Sequence, residues 1–141
     1  MSTGKRKAKW VIMTDFIEND YAQRLLEAAK NEGFRIRLTN VVSEPSDYTI
    51  EFAGVFGLIL CLHGPWGLSE LVTDFIQSLH KRNGVAIIAT RSSRFENLRP
   101  WFSGIGVRSH WPVVKSAPDG SMQDYFSIED VLMIMSHVSF S

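Results

Sequence analysis

Two short, almost unbroken apolar runs constrain this chain most: Val55–Leu62 (VFGLILCL) and Val85–Thr90 (VAIIAT). A strand with one wet face alternates apolar and polar residues, whereas a strand covered on both faces reads as a continuous apolar run. Both runs fall well short of the roughly 18–20 apolar residues that cross a bilayer. They are therefore read as central strands of a parallel sheet. The stretch between them, Leu68–Arg82, places Leu68, Leu71, Val72, Phe75, Ile76 and Leu79 at helical spacing, which predicts an amphipathic helix lying on that sheet.

The same alternation extends along the chain. Trp10–Ile17 reads as a first strand. Tyr21–Glu32 reads as a helix with Tyr21, Leu25, Ala28 and Ala29 inward, stopped by Gly33. Phe34–Val42 is a second strand. Pro45, Ser46 and Asp47 mark a turn, and Asp47–Ala53 is a candidate short helix. Phe95–Phe102 is a further helix that breaks near Gly104 and Gly106, and Val113–Val114 a short last strand. Ser127–Val138 is the closing helix, with Ile128, Val131, Leu132 and Met135 inward and Ser127 with Asp130 as an acidic capping box. Strand and helix alternating in this way predict an α/β fold. The expected architecture is a three-layer α/β/α sandwich around a five-stranded parallel sheet, flavodoxin-like. Residues 1–9 are expected as a basic, flexible tail and residues 10–138 as a single domain.

Composition narrows the function classes. The 141 residues carry 15 Lys+Arg and 15 Asp+Glu, so no basic excess points to nucleic acid or an anionic membrane. A single cysteine, Cys61, excludes an internal disulfide and a multi-cysteine zinc site. The cytoplasm is the expected compartment. No apolar stretch long enough for a secretory signal follows the basic start.

In parallel α/β sheets, ligands bind beyond the carboxyl ends of the strands. Those ends carry Glu18–Asp20, Cys61–Gly64, Thr90–Arg94 and Lys115. Each residue has a plain and a sharper reading. Cys61 is an inert small apolar residue, or a nucleophile two positions from His63. Glu18, Asn19 and Asp20 cap the first helix, or hold a cation. Lys115 is a solvated strand-end lysine, or a counter-ion for Glu18. Gly64-Pro65-Trp66-Gly67 is a tight turn with an exposed Trp rather than a phosphate loop. Arg91, Arg94 and Arg99 with Trp101 form a solvated helix face or an anion site. Trp101, Phe102 and Trp111 offer a candidate partner surface.

The order of these features resembles the receiver domain of two-component response regulators. Ile17-Glu18-Asn19-Asp20 looks like its acidic pair, and Leu58–Pro65 like its third strand and following loop. Ile87–Thr90 looks like the fourth strand with its Ser/Thr, and Val113-Val114-Lys115 like the fifth strand with its Lys. The resemblance spans about residues 10–138. It departs where the chemistry lies. Cys61 replaces the phosphoacceptor Asp, Asn19 halves the acidic pair, and bulky Arg91 follows Thr90. Acceptance of a phosphoryl group needs a carboxylate nucleophile and hard oxygen ligands for Mg²⁺. The resemblance thus implies a degenerate pseudo-receiver with a vestigial pocket of Glu18, Asn19, Asp20, Cys61, Thr90, Arg91 and Lys115. In it Arg91 or Lys115 would pair with Glu18 or Asp20. The expected function is non-catalytic signalling through a protein partner or homodimer, without metal or cofactor, nucleic acid or membrane. Two alternatives stand beside it: an active receiver with an atypical Mg²⁺ phosphosite that uses Asp15, Glu18 or Asp20, and a flavodoxin-like nucleotide- or flavin-binding protein or small hydrolase.

Overall fold

A computed structural model describes residues 8–42 and 54–138. Its core is a five-stranded sheet of β1 (Lys9–Thr14), β2 (Arg35–Asn40), β3 (Val55–Cys61), β4 (Val85–Ile88) and β5 (Arg108–His110). The spatial order is β2-β1-β3-β4-β5, and every pairing is parallel. The two apolar runs are β3 and β4, in the middle of the sheet. The period-2 geometry of strands explains the layers. Val11, Met13, Leu58, Leu60, Ala86 and Ile88 face one core, and Trp10, Ile12, Ile59, Cys61, Val85 and Ile87 face the other.

Helices cover both faces. α1 (Asn19–Asn31) and the last helix bury Ala22, Leu25, Ala29, Val131 and Met135 on one side. On the other side, α2 (Glu70–Lys81) buries Val72, Phe75, Ile76 and Leu79. Leu71, expected inward, is exposed in its first turn. Ser69 caps α2 by accepting from the Val72 amide. The expected helix over Phe95–Phe102 is broken into α3 (Ser92–Phe95), a 3-10 turn (Glu96–Leu98) and α4 (Arg99–Gly104). The last helix, α5 (Ile128–His137), has Ser127 as its cap, accepting from the Asp130 amide. The three-layer α/β/α expectation therefore holds. The turn at Pro45–Asp47 and the helix over Asp47–Ala53 lie outside the described residues.

Several boundaries move. β1 stops at Thr14 rather than Ile17, and Phe16 and Ile17 are exposed. β1 starts at Lys9, and Ala8 before it is buried. The largest correction concerns the fifth strand. It is not Val113–Val114 but Arg108-Ser109-His110, paired with Val85–Ile87. An edge strand has one open side and tolerates polar residues, so it lacks the apolar signature of β3 and β4. Val113 is exposed. Lys115 belongs instead to a small antiparallel hairpin of β6 (Lys115–Ser116) and β7 (Met122–Gln123). Phe102, expected on a partner surface, is fully buried. Trp101 and Trp111 pack edge-on against it, with ring centroids 5.2 and 5.7 Å away, as the positive edge and negative face of aromatic rings favour.

One glycine in the central strand is forced by its neighbour. Gly57 sits opposite Trp10 in the β1–β3 register, and a Cβ there would lie 2.2 Å from the Trp10 ring. The indole is 1% exposed and cannot swing into solvent. Gly57→Ala is expected to destabilise the fold by about 1–3 kcal/mol through overpacking, read as a lower urea midpoint at unchanged slope.

Candidate functional site

The site grows from the way β1 ends. After Thr14 the chain must turn into α1, which exposes backbone amides at the carboxyl edge of the sheet. Asp15, 6% exposed, satisfies them. Its Oδ1 accepts from the amides of Ile17 (3.1 Å) and Glu18 (3.0 Å), and its Oδ2 accepts from the amide of His63 (2.8 Å). One carboxylate thus ties the loop after β1 to the loop after β3. β1 and β3 are neighbours in the sheet, at the point where the strand order reverses.

A chain of polar groups crosses this edge. Arg94 donates to His63 Nε2. A guanidinium has no acceptor, so His63 carries its own proton on Nδ1. That nitrogen faces Glu18 Oε1 at 3.6 Å. Glu18 Oε1 also accepts from Arg91 Nε at 2.8 Å. Arg91 Nη1 lies 3.8 Å from Asp124 Oδ1, and Asp124 Oδ2 accepts from Ser93 Oγ at 2.6 Å. Arg91 holds a left-handed backbone, φ 55°, which is uncommon outside glycine and clusters at functional sites. Asp124 is fixed through its own carbonyl, which accepts from the Ser92 amide at 2.9 Å. The charged ends are poorly hydrated: the side chains of Glu18 and Asp124 are 10% and 7% exposed. Removing Arg91 would leave both carboxylates buried without their cation.

Beside this chain lies a cavity of about 310 Å³. Glu18, Thr90 and Arg91 form its floor, and Asp20, Arg24, Ile17 and Tyr125 its rim. Tyr21 in its wall is immobilised, its hydroxyl donating to the Phe126 carbonyl at 2.6 Å. Burial, followed by the nearby Cys61, pushes the Tyr21 phenol far above its ordinary range. Among the described residues no three His, Cys, Asp or Glu side chains come together as a metal site.

The structure thus brings Glu18, Asp20, Thr90 and Arg91 onto one cavity, and the expected Arg91–Glu18 pair is present. Asn19 opens α1 beside them. Three expected members are not in the cavity: Asn19, Cys61 and Lys115. Cys61 points into the core under α1 and α5 and is fully buried. Burial above all, then the charges of Glu18 and Asp15, pushes its thiol well above the ordinary value of 9.0. A neutral, enclosed thiol is no nucleophile. Lys115 is exposed in the hairpin, and the basic groups beside Glu18 among the described residues are Arg91 and His63 rather than Lys115. Of the three arginines read as an anion site, Arg94 stacks on Trp66, 5.7 Å from the ring, and joins His63. Arg99 is elsewhere, paired with Glu96 and lying over Trp111.

Ser93, Asp124 and Tyr125 escape the sequence reading. Asp124 and Tyr125 lie on a polar return from the hairpin, with no periodicity and no motif. The one available signal is Asp124-Tyr125-Phe126 immediately before a well-capped helix.

No family model matches the chain, and no curated protein matches it. A solved structure of similar fold is that of a PPC decarboxylase, a cysteine-to-serine mutant complexed with pantothenoylaminoethenethiol. The match covers 92% of this chain and 96% of that one at TM-score 0.51 and 8% identity. At that identity the likeness is one of fold. It supports the flavodoxin-like architecture and overturns the receiver resemblance, together with the two-component, phosphorelay and response-regulator roles drawn from it. The displaced Lys115 and the enclosed Cys61 are the structural reasons. The expectation of a non-enzymatic module is set against the finding that the solved structure of similar fold is that of an enzyme. No helix among the described residues is long and apolar enough to cross a membrane.

Asp15 and Asp20 are expected to behave oppositely. Asp15→Ala strands buried amides and should cost about 3 kcal/mol in urea unfolding, whereas Asp20→Ala removes one solvent-exposed pair with Arg24 and should stay within about 0.5 kcal/mol. Cys61 supplies a pH test. Its folded value lies above its unfolded one, so the stability it contributes is complete below the unfolded value and is lost as pH rises towards the folded one. As pH rises past the ordinary thiol value of 9.0, Cys61→Ala should lose less stability than the parent chain. The native thiol should react with a disulfide reagent only as fast as the chain opens.

Proposed function

We propose that this chain is a flavodoxin-like protein that binds a small ring-bearing molecule of the nucleotide or flavin class at the carboxyl edge of its sheet. The observation that carries this reading is the cavity of about 310 Å³ at that edge. Parallel α/β sheets take ligands there, and binding pockets combine apolar or aromatic walls with a few convergent polar groups. Ile17 and Tyr125 offer the faces for a ring. The carboxylates of Glu18 and Asp20 suit sugar or ribityl hydroxyls, which donate hydrogen bonds to them. Thr90 is already turned inward, its hydroxyl donating to the Leu62 carbonyl at 3.2 Å.

The residues fit a ring and its hydroxyls better than they fit a phosphate in the first loop. Asp15-Phe16-Ile17-Glu18 contains no glycine, and the Ile17, Glu18 and His63 amides are already taken by Asp15. A flavin or nucleotide phosphate is therefore not assigned to that loop. The cytoplasm is the proposed compartment, where a lone free thiol such as Cys61 is ordinary. A homodimer is the proposed assembly, with exposed Met133 on α5 as its apolar surface; sedimentation measures it directly.

Thermal unfolding in the presence of flavin mononucleotide, riboflavin, adenosine monophosphate and adenosine tests the reading. A ligand at a hundred times its Kd adds about 2.7 kcal/mol, so at least one member of the panel should raise Tm by several degrees. Tyr125→Ala should remove that rise while leaving the ligand-free Tm nearly unchanged, because Tyr125 is already 43% exposed. A folded chain indifferent to all four at millimolar concentration would sink the reading.

A further inference from the structure

We propose that Arg24 and Arg91 form a receptor for a phosphate monoester, so that the cavity's ligand carries its phosphate against these two side chains and not in the loop after β1. This rests on the ligand-binding reading above and adds to it the anionic group and its receptor. The first observation is that the loop's own anion position is filled. The amides that would receive a phosphate at the start of α1 are held by the Asp15 carboxylate, and Glu18 adds a second negative charge beside them.

The second observation is the state of the two guanidinium groups on the cavity wall. Arg91 commits Nε to Glu18 at 2.8 Å. Its Nη1 is 3.8 Å from Asp124 Oδ1, beyond hydrogen-bond range. That Asp124 oxygen is itself buried without a hydrogen-bond partner, so the pair is not closed. Among the described residues Arg24 commits only Nε, to Asp20 at 3.2 Å, and these side chains are 61% and 89% exposed. An ion pair so exposed is weak and exchanges readily, so Asp20 yields its place to a doubly charged oxyanion. Among the described residues both arginines keep terminal N–H donors, and a planar guanidinium fork matches phosphate oxygens two at a time. Arg91 is anchored through Nε by Glu18, whose own side chain is 10% exposed. Arg94 is excluded, being turned onto His63 and Trp66.

The test follows the arginine Nε–Hε signals of the ¹⁵N-labelled chain during titration with inorganic phosphate. It is repeated with flavin mononucleotide against riboflavin and adenosine monophosphate against adenosine. Saturable shifts at Arg24 and Arg91, with Arg99 unmoved, are expected. The phosphorylated member of at least one pair should bind about tenfold or more tighter than its parent, and Arg24→Gln should abolish that difference. Equal affinity within both pairs, with the Arg24 and Arg91 signals unmoved, would overturn the phosphate receptor while leaving ring binding intact. Saturable phosphate shifts at Arg24 and Arg91 with no response to any ring compound would support the receptor and remove the ring reading. Non-saturating shifts at every exposed arginine would mean general screening only and overturn the proposal.

Discussion

Burial of β3 and β4 on both faces is the constraint from which the rest of this molecule follows. Val55–Cys61 and Val85–Ile88 carry almost no polar side chain, so each face needs its own cover. α2 with Phe95 and Phe102 supplies one cover, and α1 with α5 the other. Parallel strands demand crossover connections, which carry the helices alternately to the two sides. The same requirement leaves the turns that leave the strands together at the carboxyl edge. Polar residues that the core cannot accept collect there.

That edge solves a hydrogen-bonding problem and an electrostatic one with the same residues. The turn out of β1 strands amides, and Asp15 satisfies them while joining two loops. Its carboxylate also occupies the position an external anion would seek. Glu18 and Asp124 then share one cation, Arg91, a left-handed residue after β4. Buried ion pairs of this kind add little net stability, yet removing one partner is costly. The arrangement therefore fixes geometry more than it strengthens the fold. The gaps at His63–Glu18 (3.6 Å) and Arg91–Asp124 (3.8 Å) leave donors and acceptors unspent beside an open cavity.

How much of this was legible depends on how local each cause is. The apolar runs of β3 and β4, the stripe of α2 and the Ser127 cap are local, and they read correctly. Glu18, Asp20, Thr90 and Arg91 were legible because each follows a legible strand. The fifth strand was not: Arg108-Ser109-His110 is a strand because β4 offers it an edge, and no propensity marks it. Misplacing that strand put Lys115 in the pocket and supported a receiver reading that the structure does not sustain. Phe102 looked available to a partner because aromatic residues serve cores and surfaces equally well, and only packing against Trp101 and Trp111 decides between them.

The sequence by itself determined the layered α/β architecture, since hydrophobic periodicity is a one-dimensional record of which faces must be buried. It also determined the absence of a basic excess and of any second cysteine with which Cys61 could pair. Tertiary structure alone decided which polar residues meet. Asp15 finds His63 across 48 positions and Arg91 finds Glu18 across 73, while Asp124 arrives from beyond a hairpin that no pattern announces. A hydrogen bond or ion pair acts over a few ångströms in space, so its partners leave no mark in spacing along the chain.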